Sequence, residues 1–201
     1  MGIMLGTKMT FWITTIFIGA ILFVGWNLTA RGNYETAAYQ VIASEGAFEL
    51  REYPEIMLVT TDTNVASNGK DGSFGRLFQY ISGSNELGQK VEMTTPVFME
   101  SSTIDSSGTM GFVIPRKIAE ASIPIPIGRR VEIEKRPAGK YAVIRFNGRL
   151  SERTQADSKV KLINWIEKQG WEREEGTEFA GYDPPWTPKI LRRNETLIRL
   201  K

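Results

Sequence analysis

Apolar and polar positions along the chain follow three different patterns. Residues 9–30 (MTFWITTIFIGAILFVGWNLTA) hold no charge and lie between Lys8 and Arg31. As a helix rising 1.5 Å per residue, this run reaches about 33 Å, enough to cross a ~30 Å hydrocarbon core. Trp12 and Trp26 lie near its two ends, where amphipathic rings favour the membrane interface. The pattern predicts a tail over 1–8, a membrane anchor over 9–30 and one folded unit over 31–201. A cleaved signal peptide is the alternative, although Leu28-Thr29-Ala30 makes a poor cleavage site. The short tail favours an N-inside, single-pass orientation, with the domain on the exported (periplasmic or extracytoplasmic) side, or secreted if the segment is removed.

Helical spacing appears twice after residue 31. Phe74, Leu77, Phe78 and Ile81 recur at three and four positions within 74–82, and Gly83 is a stop. Val160, Leu162, Ile163 and Ile166 mark the apolar side of a second helix over 154–169. Elsewhere the pattern is that of strands and turns. Residues 39–50 mix strand and turn with a break at Glu45-Gly46, and 57–61, 90–100, 110–115 and 141–146 read as strands. Pro96 marks an edge or bulge. Residues 64–73 and 103–108 are polar and Gly-rich connections. The IPIPIG stretch at 123–128 is extended, because proline forbids a helix there.

The order of elements repeats. FELREYP at 48–54 and VEIEKRP at 131–137 are each followed by a β-rich run, a loop and an amphipathic helix. This predicts an α+β fold with a pseudo-twofold internal repeat, in which two helices pack on a largely antiparallel sheet.

Composition narrows the chemistry. The 201 residues hold no histidine and no cysteine, which removes imidazole bases, Ser-His-Asp triads, thiolate nucleophiles and Cys- or His-ligated metals. A net charge of +2 gives no basic excess for nucleic acid.

Five stretches then carry a family resemblance: YQVIASEGAFELREYP at 39–54, FGRLFQYISGSN at 74–85, KVEMTTPVFM at 90–99, GFVIPRK at 111–117 and GYDPPWTPKILRRNETLIRL at 181–200. Together they resemble the SOUL haem-binding family over about residues 34–201. The resemblance implies a distorted antiparallel barrel with two helices, and a non-enzymatic function in binding haem or a related tetrapyrrole. Held at a membrane, such a protein buffers, carries or senses its ligand. Some members of the family use a histidine as axial ligand and this chain has none; Met, Tyr or Lys is then the available substitute.

Without a strong axial ligand, a tetrapyrrole needs an apolar slot for the ring and cations for its propionates. The candidate residues are Phe74, Leu77, Phe78 and Ile81 with Arg76, then Lys90 and Met93. The four apolar residues serve equally as the core face of an amphipathic helix. Met93 and Met99 are candidate thioethers that also suit gap-filling. Tyr53 is expected to pack its ring and wet its hydroxyl, and Trp186 to plug a core edge or line a groove. Lys189, Arg192, Arg193, Arg199 and Lys201 give a basic C-terminus, and Glu172, Glu174, Glu175 and Glu178 read as an exposed loop. Two alternatives stay open. One is a small-molecule hydrolase of gyrase-inhibitor-like fold, with Glu52, Glu92 or Glu132 as the pocket carboxylate. The other is an interaction module with a vestigial groove.

Overall fold

The computed structural model describes residues 34–63, 72–100, 108–128, 130–184 and 186–201. The expected anchor at 9–30 lies outside them, as do most of the connections at 64–73 and 103–108. No helix among the described residues is long and apolar enough to cross a membrane.

Among the described residues, eleven strands and three α-helices follow in the order β1 (Glu35–Thr36), β2 (Gln40–Glu45), β3 (Phe48–Tyr53), β4 (Ile56–Thr63), α1 (Ser73–Ile81), β5 (Thr94–Thr95), β6 (Val97–Glu100), β7 (Gly108–Val113), α2 (Arg116–Ala121), β8 (Glu132–Arg136), β9 (Gly139–Asn147), α3 (Glu152–Gln169), β10 (Glu178–Gly181) and β11 (Arg193–Arg199). Nine strands form one antiparallel sheet, ordered β2-β3-β9-β11-β10-β6-β7-β4-β8. The short β1 and β5 pair in parallel beside it.

The repeat is visible in this order. β3, β4, α1, β6 and β7 correspond to β8, β9, α3, β10 and β11. Each copy lends its first strand to the other: β3 pairs with β9, and β8 with β4. The central contact joins β6 to β10, related strands of the two copies. The strand order from β3 to β8 therefore reads the same from both ends once the copies are exchanged.

Two expectations need correction. The sheet does not close into a barrel, because β2 and β8 end it as edges. Among the described residues there are three α-helices rather than two: the GFVIPRK stretch leaves the sheet after Val113 and Pro115 caps the start of α2. Proline suits that position, since a helix's first turn needs no amide hydrogen bond from it. The expected strand at 90–100 is likewise divided at Pro96, which follows a cis peptide bond.

Three apolar clusters make the core. On the outer face, α1 sets Leu77, Tyr80 and Ile81 against Val59, Met110 and Phe112. α3 sets Leu162, Trp165 and Ile166 against Ala142, Ile144 and Ile198. Its apolar side is rotated from the expected one, with Val160 58% exposed and Ser158 buried. Ser158 hydrogen-bonds Thr196 of β11 at 2.7 Å, which places that helix face on the sheet. α3 is capped by Ser151 and Thr154 in a reciprocal box and ends at Gly170 with φ +72°. The third cluster fills the inner face, where Leu58, Phe98, Val143 and Leu197 meet the rings of Tyr53, Tyr141 and Tyr182.

Candidate functional site

Strand alternation decides which side chains enter the inner face. On β11 these are Arg193, Glu195, Leu197 and Arg199, while Asn194, Thr196 and Ile198 turn the other way. On β3 they are Arg51 and Tyr53, on β8 Glu134 and Arg136, and on β10 Glu178 and Ala180. Charged residues thus occupy both ends of a face whose middle is apolar.

At one end Glu195 is fully buried and accepts from Arg51 Nη1 at 2.7 Å and Nη2 at 2.9 Å. Tyr182 donates to it at 2.9 Å, and Arg193 Nε and Nη2 at 3.0 and 2.6 Å. Arg51 also donates to Glu49 at 2.6 Å and to the Tyr53 hydroxyl at 3.0 Å. The Tyr53 hydroxyl is therefore dry, contrary to the sequence expectation. Burial works to raise the Glu195 carboxyl, but Arg51 and Arg193 outweigh it and hold it below its ordinary value. Burial pushes the Tyr53 hydroxyl up to about 12. With its hydrogen bonds made, this network is a rigid plug.

At the other end lies a cavity of about 300 Å³, floored by Leu58, Phe98 and Leu197 and bordered by Glu100, Glu134, Arg136 and Glu178. Arg136 is 5% exposed. Its guanidinium carbon sits 3.9 Å from the Tyr141 ring centre and 4.7 Å from those of Tyr53 and Phe98. Nε donates to Glu178 at 2.8 Å, whereas Nη1 has no hydrogen-bond acceptor among the described residues. Burial raises the Glu178 carboxyl against the pull of Arg136, and burial with the nearby Glu134 charge raises Glu100. The acidic stretch 172–178 is thus not simply an exposed loop, because Glu174, Glu175 and Glu178 border the cavity.

The seven residues singled out for a tetrapyrrole are spread over α1 and its exit. Leu77 and Ile81 are buried against the sheet. Phe74 and Phe78 lie along one flank, with ring centres 6.2 Å apart and planes within 14°, and Phe78 is 53% exposed. Phe74 also meets Phe112 edge-on. Arg76 emerges on the opposite flank, two residues from Phe74 and thus about 200° around the helix. There it donates to Thr61 Oγ1 at 2.9 Å and the Asp62 carbonyl at 2.6 Å. With Tyr80 and Arg130 it borders a second cavity of about 290 Å³. Lys90 is exposed, and Met93 packs half-buried beside the α1 core. Trp186 neither plugs the core nor lines these two cavities; it is 65% exposed. Glu52, Glu92 and Glu132 are all exposed and border neither of these cavities.

Sequence reasoning missed Arg51, Arg136 and Glu195, because charges alternating along a strand read as a solvated face, and Glu178, because its Gly-flanked acidic stretch read as an exposed loop. It also missed Asn85, which is buried and spans its own loop. Asn85 donates to the Tyr80 and Gln89 carbonyls at 3.1 and 2.7 Å and accepts from the Gln89 amide at 3.0 Å. The loop leading to Lys90 is thereby fixed.

Comparison with known proteins agrees with the resemblance that the motifs carry. Heme-binding protein 2 of Homo sapiens is 30% identical over 159 residues, covering 74% of this chain and 75% of its own length. Heme-binding protein 1 of Xenopus laevis is 28% identical over 157 residues, covering 74% and 81%. Among solved structures, the EcmrR C-terminal domain matches 81% of this chain and 98% of its own, with TM-score 0.55 and 13% identity. A hydrolase from Listeria innocua matches 80% and 94%, with TM-score 0.56 and 13% identity. Those two likenesses concern the fold alone. Residues 34–199 match the family described as SOUL heme-binding protein, and the chain belongs to that family.

Proposed function

We propose that this protein binds haem or a closely related tetrapyrrole on the flank of α1 that carries Phe74 and Phe78, and that it acts as a binder rather than as an enzyme. The observation that carries this reading is the exposed, nearly parallel Phe74–Phe78 pair. It offers exposed aromatic surface against which a macrocycle can pack. Family membership makes haem the ligand to test first. Bound haem would supply iron to the site. The chain's own residues contribute ring contact from the two phenylalanines, a fixed loop through Asn85 and an exposed cation at Lys90. Histidine ligation is unavailable.

The segment 9–30 supports tethering to a membrane, with haem buffered or carried at its surface. Exposed Trp186 and Ile190 beside Lys189 supply a second contact suited to a lipid interface.

Hemin titration of the full chain in mild detergent, followed at the Soret band, tests the haem reading. The expected result is saturation at one equivalent, weakened at least tenfold in a Phe74→Ala/Phe78→Ala variant. Saturation unchanged in that variant would place the ligand elsewhere, and no saturable shift would overturn haem binding.

A further inference from the structure

A domain held to a bilayer by one chain segment is free to turn unless a second contact holds it. The loop joining β10 to β11 presents such a contact on a fixed backbone. Trp186 is 65% exposed, Ile190 79% and Leu191 40%. Thr187, between them, is buried. Its amide donates to the Pro184 carbonyl at 3.0 Å, and its carbonyl accepts from Arg192 Nε at 2.8 Å. Lys189–Leu191 form one 3₁₀ turn, closed by the Leu191 amide on the Pro188 carbonyl at 2.9 Å. At the base of the loop the Asp183 carboxylate accepts from the Arg193 amide at 2.6 Å, and the Arg192 carbonyl from the Gly148 amide at 3.3 Å. The apolar side chains are therefore held outward, where an apolar partner surface would take them out of water.

The place of this loop in the fold says what that surface is. β10 ends at Gly181, opposite Val97 of β6, and the described chain begins beside the same point. Glu35 pairs with Thr94, the Ala37 amide donates to the Thr95 carbonyl at 2.8 Å, and Arg193 donates to the Tyr39 hydroxyl at 3.2 Å. The Arg116 amide, just past the end of β7, donates to Glu35 at 2.9 Å. Tyr34 and the loop thus lie beyond the same end of the sheet. The apolar run ends at Ala30, four residues before Tyr34, and four extended residues span at most about 14 Å. An anchor so close brings this end of the sheet to the bilayer. Charge agrees, since Lys189 and Arg149 are exposed and make no ion pair among the described residues, which suits lipid phosphates. We propose that Trp186, Ile190 and Leu191 dock this end of the domain into the headgroup region of a phospholipid bilayer. The orientation rests on the tether proposed above; the exposed patch stands without it.

The chain holds no cysteine, so Ile190→Cys and Lys140→Cys each accept a single environment-sensitive label. Lys140 is an exposed control near the far end of β9 from Asn147, which pairs with Arg193; at ~3.3 Å per residue the two ends are about 23 Å apart. The labelled full chain is reconstituted into vesicles of phosphatidylcholine and phosphatidylglycerol, with and without nitroxide-bearing lipid, and flotation is followed in parallel. The expected result is flotation of both proteins, with a blue shift and lipid quenching severalfold stronger at position 190 than at position 140. Trp186→Ser, an exposed change, should lower the quenching at position 190. Flotation with equal quenching at the two positions, or none at either, would overturn the docking and leave the tether standing. Release of the chain by alkaline carbonate would refute the tether, while quenching at position 190 before release would still support the docking. A chain that never floats overturns both. A blue shift at position 190 without lipid quenching would mean that a second copy covers the patch, and it would overturn the lipid assignment.

Discussion

Replacing Glu195 by glutamine keeps the shape of the buried network and removes its central charge. The carboxylate receives hydrogen bonds from both terminal nitrogens of Arg51, from Tyr182, and from Nε and Nη2 of Arg193. Glutamine offers one acceptor oxygen and turns an amide donor towards two guanidinium groups. Arg51, with a fully buried side chain, then has no carboxylate partner there except Glu49. Removing one partner of a buried ion pair costs about 3–5 kcal/mol. In a domain of this size that lowers the melting temperature by roughly 10 °C or more. Arg145 lies 3.4 Å from the same carboxylate but is 41% exposed, so Arg145→Ala should cost less than about 1 kcal/mol.

The pH dependence has a definite sign. The folded carboxyl of Glu195 sits below its unfolded value, held there by Arg51 and Arg193 against burial. Its contribution is therefore complete above the unfolded carboxylate pKa of ~4.3 and is lost as pH falls through the lower folded value. Glu100 and Glu178 are raised, first by burial, so their terms run the other way and favour the folded state as pH falls. Subtracting the Glu195→Gln curve from that of the wild type cancels them. Denaturant melts from pH 2 to 7 should show a gap that is wide at neutral pH and narrows in acid. A gap below 1 kcal/mol at pH 7, or one unchanged in acid, would refute the reading of Glu195 as a buried, ionised hub.

Three further outcomes are expected. Leu77→Ala should cost about 2–5 kcal/mol in chemical denaturation, because Leu77 is fully buried; Phe78→Ala, one position along, should cost less than about 1 kcal/mol while reducing hemin affinity. Asn85→Ala removes three hydrogen bonds that fix the loop after α1, so about 1–3 kcal/mol is lost, with faster amide exchange at Gln89 and Val91 as its local signature. Gly139→Ala would set a Cβ 2.9 Å from Arg199 Nε. The arginine must then shift away from the Ala138 carbonyl and Glu174, and thermal melting should show a loss of about 1 kcal/mol.

Much of the fold was legible because local patterns are direct records of burial. The spacing of Leu77 and Ile81 marked the core face of α1, the Glu45-Gly46 break marked the β2–β3 hairpin, and FELREYP with VEIEKRP revealed two related halves. The repeat could not show that the copies exchange their first strands, because pairing between distant segments leaves no mark on either one. The barrel came from the resemblance and not from the pattern, which gave only an antiparallel sheet and could not show whether it closes, because edge strands and paired strands share one alternation. α2 was missed because its six residues have no buried side chain and so no apolar period.

The sites divide along the same line. Helical spacing alone placed Phe74 and Phe78 on α1, but the position of Arg76 on the other flank is a matter of helix rotation against the sheet. Arg51, Arg136 and Glu195 look in the sequence like ordinary charged positions on strands, and Glu178 like part of an exposed loop. Only the pairing of β9 with β3 and β11, of β10 with β11, and of β8 with β4 turns their alternate faces inward together. The sequence by itself determined which residues alternate, which coil and which chemistry is absent, since those are properties of neighbours along the chain. The tertiary structure alone decided which alternating charges became buried partners, because burial of a strand face depends on what lies across from it.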